Sequence, residues 1–496
     1  MIHSRTLDRG AREHPERPAL VASGRSLGFR ELDEHVARLA ATLAAQGFTA
    51  GDRLALHLPN GPDVIELLLA CARLGVIAVL LNTRLAAAEL DRILADAQPH
   101  GLIRHSSLPA PGVAVGWQRV LDQQPLQLAG GAAPPPLEDP EAILALIYTS
   151  GTTGQPKGVM ISHANMLADV EHLAAWMPFA AGDVYLHAAP IFHILDVPAV
   201  FAALAAGACQ ATIPQFSARA FAQAVARERV SHTILVPTMI DMLVQSPELG
   251  QHDLSSLATL GYGGSPMARE LIHRTRERFP RVKLVQGYGL SETGFLTALL
   301  DDEHTERRLA SCGRPPPGVD VRIMDESGHE LAAGQHGELV ARGPNVMRGY
   351  WNNADETARS FRDGFFRTGD IGYRDIEGFF FILDRLKDMI VTGGENVYSG
   401  EVEAVLYEHP AVREAAVLGI PDPKWGELVM ACVVLEPGAK LGADELMAFC
   451  RRSLANYKVP RRIEFSDAEL PRSGTGKILK RVLRERYWTR QERAVN

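Results

Sequence analysis

Ten consecutive residues, Thr149-Ser150-Gly151-Thr152-Thr153-Gly154-Gln155-Pro156-Lys157-Gly158, combine hydroxyls, glycines and one lysine in a single loop. Small side chains let backbone N–H groups approach an anion, the Ser and Thr hydroxyls add donors, and Lys157 adds positive charge. That chemistry suits the phosphates of a nucleoside triphosphate. A Walker A loop needs Gly-x4-Gly-Lys followed by Ser or Thr. Here Lys157 stands between Pro156 and Gly158, so the P-loop template fails. Most Gly/Thr runs are ordinary polar loops, so the rest of the chain has to decide.

A net charge of -8 argues against a general nucleic-acid-binding surface. The five cysteines (Cys71, Cys209, Cys312, Cys432, Cys450) are far apart and show no metal-ligand spacing, which fits buried thiols in a reducing compartment. The first residues, Met1-Ile2-His3-Ser4-Arg5, lack an apolar signal core. The longest apolar stretch, 64–81, is interrupted by Glu66, Arg73 and Gly75. A cytoplasmic protein without stable membrane insertion is expected.

The elements that must position the loop follow from periodicity. Phe29, Leu32, Val36, Leu39 and Leu43 recur at spacings of three and four with Gly47 beyond, which predicts a helix with one apolar face. Residues 53–58 alternate as a half-buried strand, 64–73 read as a helix, and 76–81 form a continuous apolar run suited to a buried strand. Similar units follow. Strand-like 143–148 runs into the Gly/Thr loop, 233–236 precedes helical 238–244, and 282–285 runs into Gln286-Gly287-Tyr288-Gly289.

The fold class is therefore α/β, a large N-terminal domain with mostly parallel sheets flanked by helices. At 496 residues the chain exceeds what one core usually serves. The Ala/Gly/Pro-rich run 129–136 reads as a linker or exposed loop rather than a required boundary. After Arg385 the pattern shifts to short pieces: helical 401–407 and 443–454, strand-like 415–420, 430–435 and 462–465. These predict a small, mobile α+β domain, with boundaries of 1–386 and 387–496.

Further motifs follow in order: Gln286-Gly287-Tyr288-Gly289-Leu290-Ser291-Glu292, Tyr350-Trp351, Thr368-Gly369-Asp370, Asp384-Arg385-Leu386-Lys387-Asp388, Gly393-Gly394-Glu395-Asn396-Val397-Tyr398 and Pro471-Arg472-Ser473-Gly474-Thr475-Gly476-Lys477. With the Gly/Thr loop, and over essentially the full chain, this series resembles the adenylate-forming (AMP-binding) superfamily of acyl-CoA synthetases, luciferases and amino-acid adenylation domains. The resemblance implies a two-step reaction. A carboxylate attacks the α-phosphate of ATP, pyrophosphate leaves, and a thiol then cleaves the acyl-adenylate.

Carried over position by position, the resemblance implies that Thr149, Ser150, Gly151, Thr152, Thr153, Gly154 and Lys157 hold the β- and γ-phosphates, and that Ser291 donates to a phosphate where the family usually has Thr. Glu292 would hold Mg²⁺, a hard cation that shares carboxylate and phosphate oxygens. Tyr288, between Gly287 and Gly289, would stack on adenine, with Gly264, Ser265 and Pro266 also along the nucleotide. Asp370 would accept from both ribose hydroxyls with Arg385 nearby. Lys477 would reach the α-phosphate and acyl oxygens in the first half-reaction, where negative charge accumulates. Lys387 falls at the family's hinge position. Gly393, Gly394 and Glu395 would line the thiol tunnel, although Ser399 stands where the family commonly has Pro.

His193 follows Pro190-Ile191-Phe192 in the motif beside the carboxylate, where amino-acid-activating relatives place Asp; a simple acid is therefore implied rather than an amino acid. Ile194, Leu195, Val197, Gly261, Tyr262, Gly263, Leu290 and Phe295 are apolar or small and suit a hydrocarbon or aryl tail. Asp196 stands where relatives often have Gly, and a direct hydrogen bond between its carboxylate and an oxygenated group on the acid is expected. The expected function is a Mg²⁺-ATP-dependent acyl-CoA synthetase for a medium- or long-chain or aryl-substituted acid, using CoA. The alternatives are an aromatic-acid (benzoate, cinnamate or ferulate) CoA ligase, an acyl-AMP ligase loading a carrier protein, and a nucleotide-binding sensor without catalysis. A homodimer is the expected assembly for this size.

Overall fold

The computed structural model describes residues 2–22, 24–129, 134–150, 156–392, 395–472 and 478–488. Two sheets dominate the first three hundred residues. One has eight strands in the order Gly294–Leu299, Lys283–Leu290, Thr259–Gly263, His232–Leu235, Val184–His187, Cys209–Thr212, Pro18–Ala22 and Arg25–Gly28. The other has six: Trp117–Val120, Gly101–Arg104, Arg53–His57, Ile77–Leu80, Ile143–Ser150 and Pro156–Ser162. Both are parallel except for terminal hairpins. Interior strands such as Ile77–Leu80 and His232–Leu235 are buried along their whole length, as expected of strands covered by helices on both faces.

The helices start and stop where their sequence dictates. Phe29–Ala45 buries Phe29, Leu32, Val36, Leu39 and Leu43 on one face. Pro62–Leu74 opens with Pro at its first position and stops at Gly75, which adopts a left-handed cap. Ser162 caps His163–Trp176, accepting from the Asn165 N–H.

A third sheet was not foreseen from periodicity. Asp320–Met324, Gly337–Arg342, Phe365–Arg374, Phe361–Arg362 and Phe380–Arg385 pair antiparallel throughout. Its last strand ends beside Leu386, whose N–H donates to the Gly369 carbonyl at 2.8 Å. From Ile390 onward the chain builds a separate five-stranded sheet, dominated by the antiparallel pair Val412–Asp422 and Gly426–Leu435, with helices Ser399–Tyr407 and Ala443–Cys450. Among the described residues, no buried apolar cluster combines side chains from before Leu386 with side chains from after it. A polar contact bridges the two parts: the Ser399 N–H donates to Asp384 Oδ2 at 2.5 Å.

Candidate active site

The described flanks of the Gly/Thr loop form an antiparallel pair. Strands Ile143–Ser150 and Pro156–Ser162 pair with Thr149 opposite Lys157 and Ser150 opposite Pro156. Gly151, Thr152, Thr153 and Gly154 lie outside the described residues, as do Gly393, Gly394 and Lys477. Segment 348–351 runs along this pair. The Met160 N–H donates to the Gly349 carbonyl at 2.9 Å, and the Trp351 N–H to the Gly158 carbonyl at 2.7 Å.

That alongside run brings Tyr350 to Lys157. The ammonium of Lys157 lies 5.2 Å from the Tyr350 ring centroid and pairs with the Glu356 carboxylate on helix Ala354–Ser360. Lys157 and Arg359 together hold the Glu356 carboxyl below its usual range. The Tyr350 hydroxyl in turn donates to Glu292 Oε1 at 2.9 Å. Sequence reasoning missed Glu356 altogether, because only the fold brings it beside a lysine 199 positions away.

Ser291 and Glu292 form the turn of a hairpin, between strands Lys283–Leu290 and Gly294–Leu299. Asn345 fixes this tip by donating to the Thr293 and Phe295 carbonyls at 2.7 and 3.0 Å, while the Met347 N–H donates to the Glu292 carbonyl at 2.8 Å. Glu292 therefore presents its carboxylate from a clamped backbone. One carboxylate beside a phosphate loop matches the way Mg²⁺ is usually held, through one or two carboxylates plus substrate phosphates.

Tyr288, on the strand leading to this turn, donates its hydroxyl to Asp370 Oδ2 at 2.6 Å. Burial and the neighbouring carboxylate push the phenol far above its ordinary range. The other Asp370 oxygen takes Arg385 Nε at 2.5 Å, in register across the antiparallel pair. The structure thus joins Tyr288, Asp370 and Arg385 in one cluster. Lys387 stands two residues beyond Arg385, and burial lowers its ammonium pKa. Its neighbour Asp388 binds Arg484 at 3.0 Å. Glu395 is exposed on a short strand paired with Ile390–Thr392.

An apolar cavity of about 20 Å³ lies between the strands and the end of helix His163–Trp176, lined by Leu173, Trp176, Met177, Leu195, Ile234, Gly261, Tyr262, Val285, Gly287 and Phe295. Trp176 meets Phe295 edge-on with centroids 5.9 Å apart. Tyr262 turns its hydroxyl away, to His304 Nε2 at 2.9 Å, and leaves its ring to the cavity. At Gly263 any Cβ would stand 2.3 Å from the Gly287 carbonyl oxygen, so only glycine lets these two strands close up behind the cavity. His193 is half-buried, and burial lowers its pKa to about 4, so the ring is neutral at neutral pH. Gly264, Ser265 and Pro266 follow directly on strand Thr259–Gly263.

The structure departs from the expected direct role of Asp196. Asp196 is fully buried, with Oδ1 accepting from the Tyr185 hydroxyl at 2.6 Å and Oδ2 paired with His187 Nδ1 at 2.7 Å. Both oxygens are engaged within the protein, so the carboxylate does not face a substrate. Ile194 and Val197 belong to the main core, and Leu290 packs against the antiparallel sheet. None of these three lines the cavity. Trp176, Leu173 and Met177 do, and sequence reading missed them because they look like core residues of an amphipathic helix.

This chain is similar to known proteins over nearly its whole length. Residues 7–351 match the AMP-binding enzyme family, and residues 401–477 match the AMP-binding enzyme C-terminal domain. Feruloyl-CoA synthase from Amycolatopsis sp is 40% identical over 97% of this chain and 98% of its own length. A fatty acid–[acyl-carrier-protein] ligase from Streptomyces coeruleorubidus is 35% identical over 98% of this chain and 96% of its own. The structure of o-succinylbenzoate CoA synthetase from Bacillus subtilis, in complex with its acyl-adenylate intermediate, superposes with a TM-score of 0.87 at 33% identity, covering 96% of this chain and 97% of that one. The chain belongs to the AMP-binding enzyme family and is an adenylate-forming acid ligase. Among the described residues no helix is long and apolar enough to cross a membrane.

Proposed function

We propose that this ligase activates a compact aryl carboxylic acid and transfers it to CoA. The observation that carries the choice is the cavity. Its wall combines the edge-on Trp176–Phe295 pair, the ring of Tyr262 and the bare backbone of Gly261 and Gly287. Flat backbone surfaces and aromatic edges suit a planar ring. The relationship to feruloyl-CoA synthase supports the same reading.

In this account the acid carboxylate attacks the α-phosphorus of ATP and pyrophosphate departs. Both reactants are anionic, so the protein's contribution is mainly placement and positive charge. Lys157 and the Gly/Thr loop take the β- and γ-phosphates, and Lys477 takes the α-phosphate and acyl oxygens as charge builds there. Tyr288 covers the adenine and Asp370 accepts from the ribose. Glu292 would hold Mg²⁺, which when bound would offset the negative charge of the phosphates. His193, neutral at physiological pH, stands at the acid without adding a second positive charge. The thiol of CoA then displaces AMP after a swing of residues 387–496 about Lys387, with Gly393, Gly394 and Glu395 along the thiol's path.

A carrier-protein thiol is the second reading for the acceptor, favoured by the ligase from Streptomyces coeruleorubidus. The test is kcat/KM across ferulic, cinnamic, benzoic and indoleacetic acids against octanoic and palmitic acids, with free CoA. A preference for the aryl acids is expected. A preference for palmitic acid would overturn the substrate assignment, and adenylation without CoA turnover would overturn the acceptor.

A further inference from the structure

Tyr185, His187, Asp196 and Gln210 form a polar cluster without any solvent exposure. Tyr185 and His187 lie on strand Val184–His187, and Gln210 on the adjacent parallel strand, opposite Tyr185. Asp196 stands at the start of helix Val197–Ala205. Besides the two bonds to Asp196, His187 Nε2 lies 2.9 Å from Gln210 Oε1, and the Tyr185 and His187 rings meet edge-on at 4.8 Å. Burying a carboxylate completely is costly even when both oxygens are paired, and apolar packing would anchor a helix equally well. The cluster's use must therefore lie in what it fixes.

What it fixes is the eight-residue stretch 188–195. His187 and Asp196 close that stretch by joining its two flanks side chain to side chain. Asn60 clamps the first half: its Nδ2 donates to the His187 and Ala189 carbonyls at 3.2 and 2.6 Å, and its Oδ1 accepts from the Ile191 N–H at 2.9 Å. The second half turns on the His193 carbonyl, which accepts from the N–H groups of Asp196 and Val197 at 3.0 and 3.3 Å. Between these clamps stand His193 and Leu195, and Leu195 lines the cavity. We propose that Asp196 is a positioning residue for acid recognition: by tying the 188–195 loop to His187 and Tyr185, it fixes His193 and Leu195 against the carboxylic acid without touching the acid.

The inference rests on the ligase reading, but not on which acid is used. It is tested in the full-length protein with Asp196→Ala and Asp196→Asn, by two readouts. Hydrogen exchange of segment 188–197 should accelerate at least about tenfold in Asp196→Ala while the strands of both large sheets keep their protection. In acid-dependent ATP–pyrophosphate exchange, KM for the acid should rise at least about tenfold with KM for ATP within about twofold. Asp196→Asn, which keeps an acceptor for Tyr185 but loses the charge facing His187, should fall between. Should Asp196→Ala not fold, Tyr185→Phe removes one bond only and should move both readouts in the same direction.

Unchanged exchange across 188–197 would overturn the proposal, as would acid and ATP KM values rising together. Selective loss of hydroxylated over plain acids would also overturn it, because that pattern belongs to direct contact. A wild-type protein inactive with every acid would count against the ligase reading, while hydrogen exchange would still decide the positioning role.

Discussion

Tyr288 and Asp370, 82 positions apart, are joined by a 2.6 Å hydrogen bond, while Arg385 holds the other Asp370 oxygen at 2.5 Å. The carboxylate proposed above as the ribose acceptor is thus oriented from both sides. Replacing Asp370 by Asn keeps its shape but removes the charge and one acceptor. KM for ATP should rise at least about tenfold while KM for the acid stays within about twofold. Steady-state kinetics with each substrate varied in turn checks this, and an unchanged ATP KM would count against Asp370 as the ribose partner.

The pair between Lys157 and Glu356 makes an opposite prediction. An incoming phosphate must compete with Glu356 for the Lys157 ammonium. Glu356→Gln weakens that competitor, so KM for ATP should fall by about two- to fivefold, in line with a partly exposed ion pair worth no more than about 1 kcal/mol. Lys157→Ala should raise it. Parallel rises in the two variants would show that Glu356 helps bind ATP rather than opposing it.

Much of the fold was legible because the signals are local. The helix Phe29–Ala45, the buried strand Ile77–Leu80 and the strand Ile143–Ser150 that runs into the Gly/Thr loop each follow from periodicity and flanking glycines, whereas the returning strand Pro156–Ser162 does not. The antiparallel sheet was not, because strands such as Asp320–Met324 and Gly337–Arg342 alternate only briefly and their pairing depends on distant partners. The same physics divides the site. Glu292 and Asp370 stand in recognisable runs, whereas Trp176 looks like any apolar residue on a helix and Glu356 like any surface acid. Asp196 was misread for a related reason: its partners Tyr185 and His187 are close in sequence but reach it only because the loop folds back onto its own strand.

The cavity can be resized from one position. At Gly261 an added Cβ would stand 2.8 Å from Ile234 Cγ1 and 3.6 Å from Met177 Sδ. Gly261→Ala should therefore lower kcat/KM for substituted aryl acids at least about tenfold relative to benzoic acid, the order expected for one methyl in a tight pocket. Trp176→Ala opens the far end and should improve longer acids. Equal effects on all acids from both variants would mean that this cavity is not the acid site.

Acid should destabilise the protein early. Burial lowers the pKa values of His57, His163, His172 and His193 to about 4, against an ordinary value of 6.5. Above pH 6.5 folded and unfolded forms are alike neutral at these rings and nothing is lost. As pH falls from 6.5 toward 4 the unfolded chain takes up protons that the folded one does not, and stability drops by up to about 1.4 kcal/mol per ring per pH unit. Thermal denaturation between pH 7.5 and 5 should show a Tm falling increasingly steeply below pH 6.5. A flat Tm across that interval would mean the rings are hydrated or already paired as cations.

The most direct test of the central claim is pyrophosphate exchange into ATP, supported by an aryl acid and Mg²⁺, in the wild type and in Lys477→Ala. The wild type should exchange only when acid is present and should release AMP and a thioester once CoA is added. The variant should lose at least about a hundredfold in exchange, as expected when a charge contact to the transition state is removed. Exchange undiminished in Lys477→Ala, or no acid-dependent exchange in the wild type, would contradict the account.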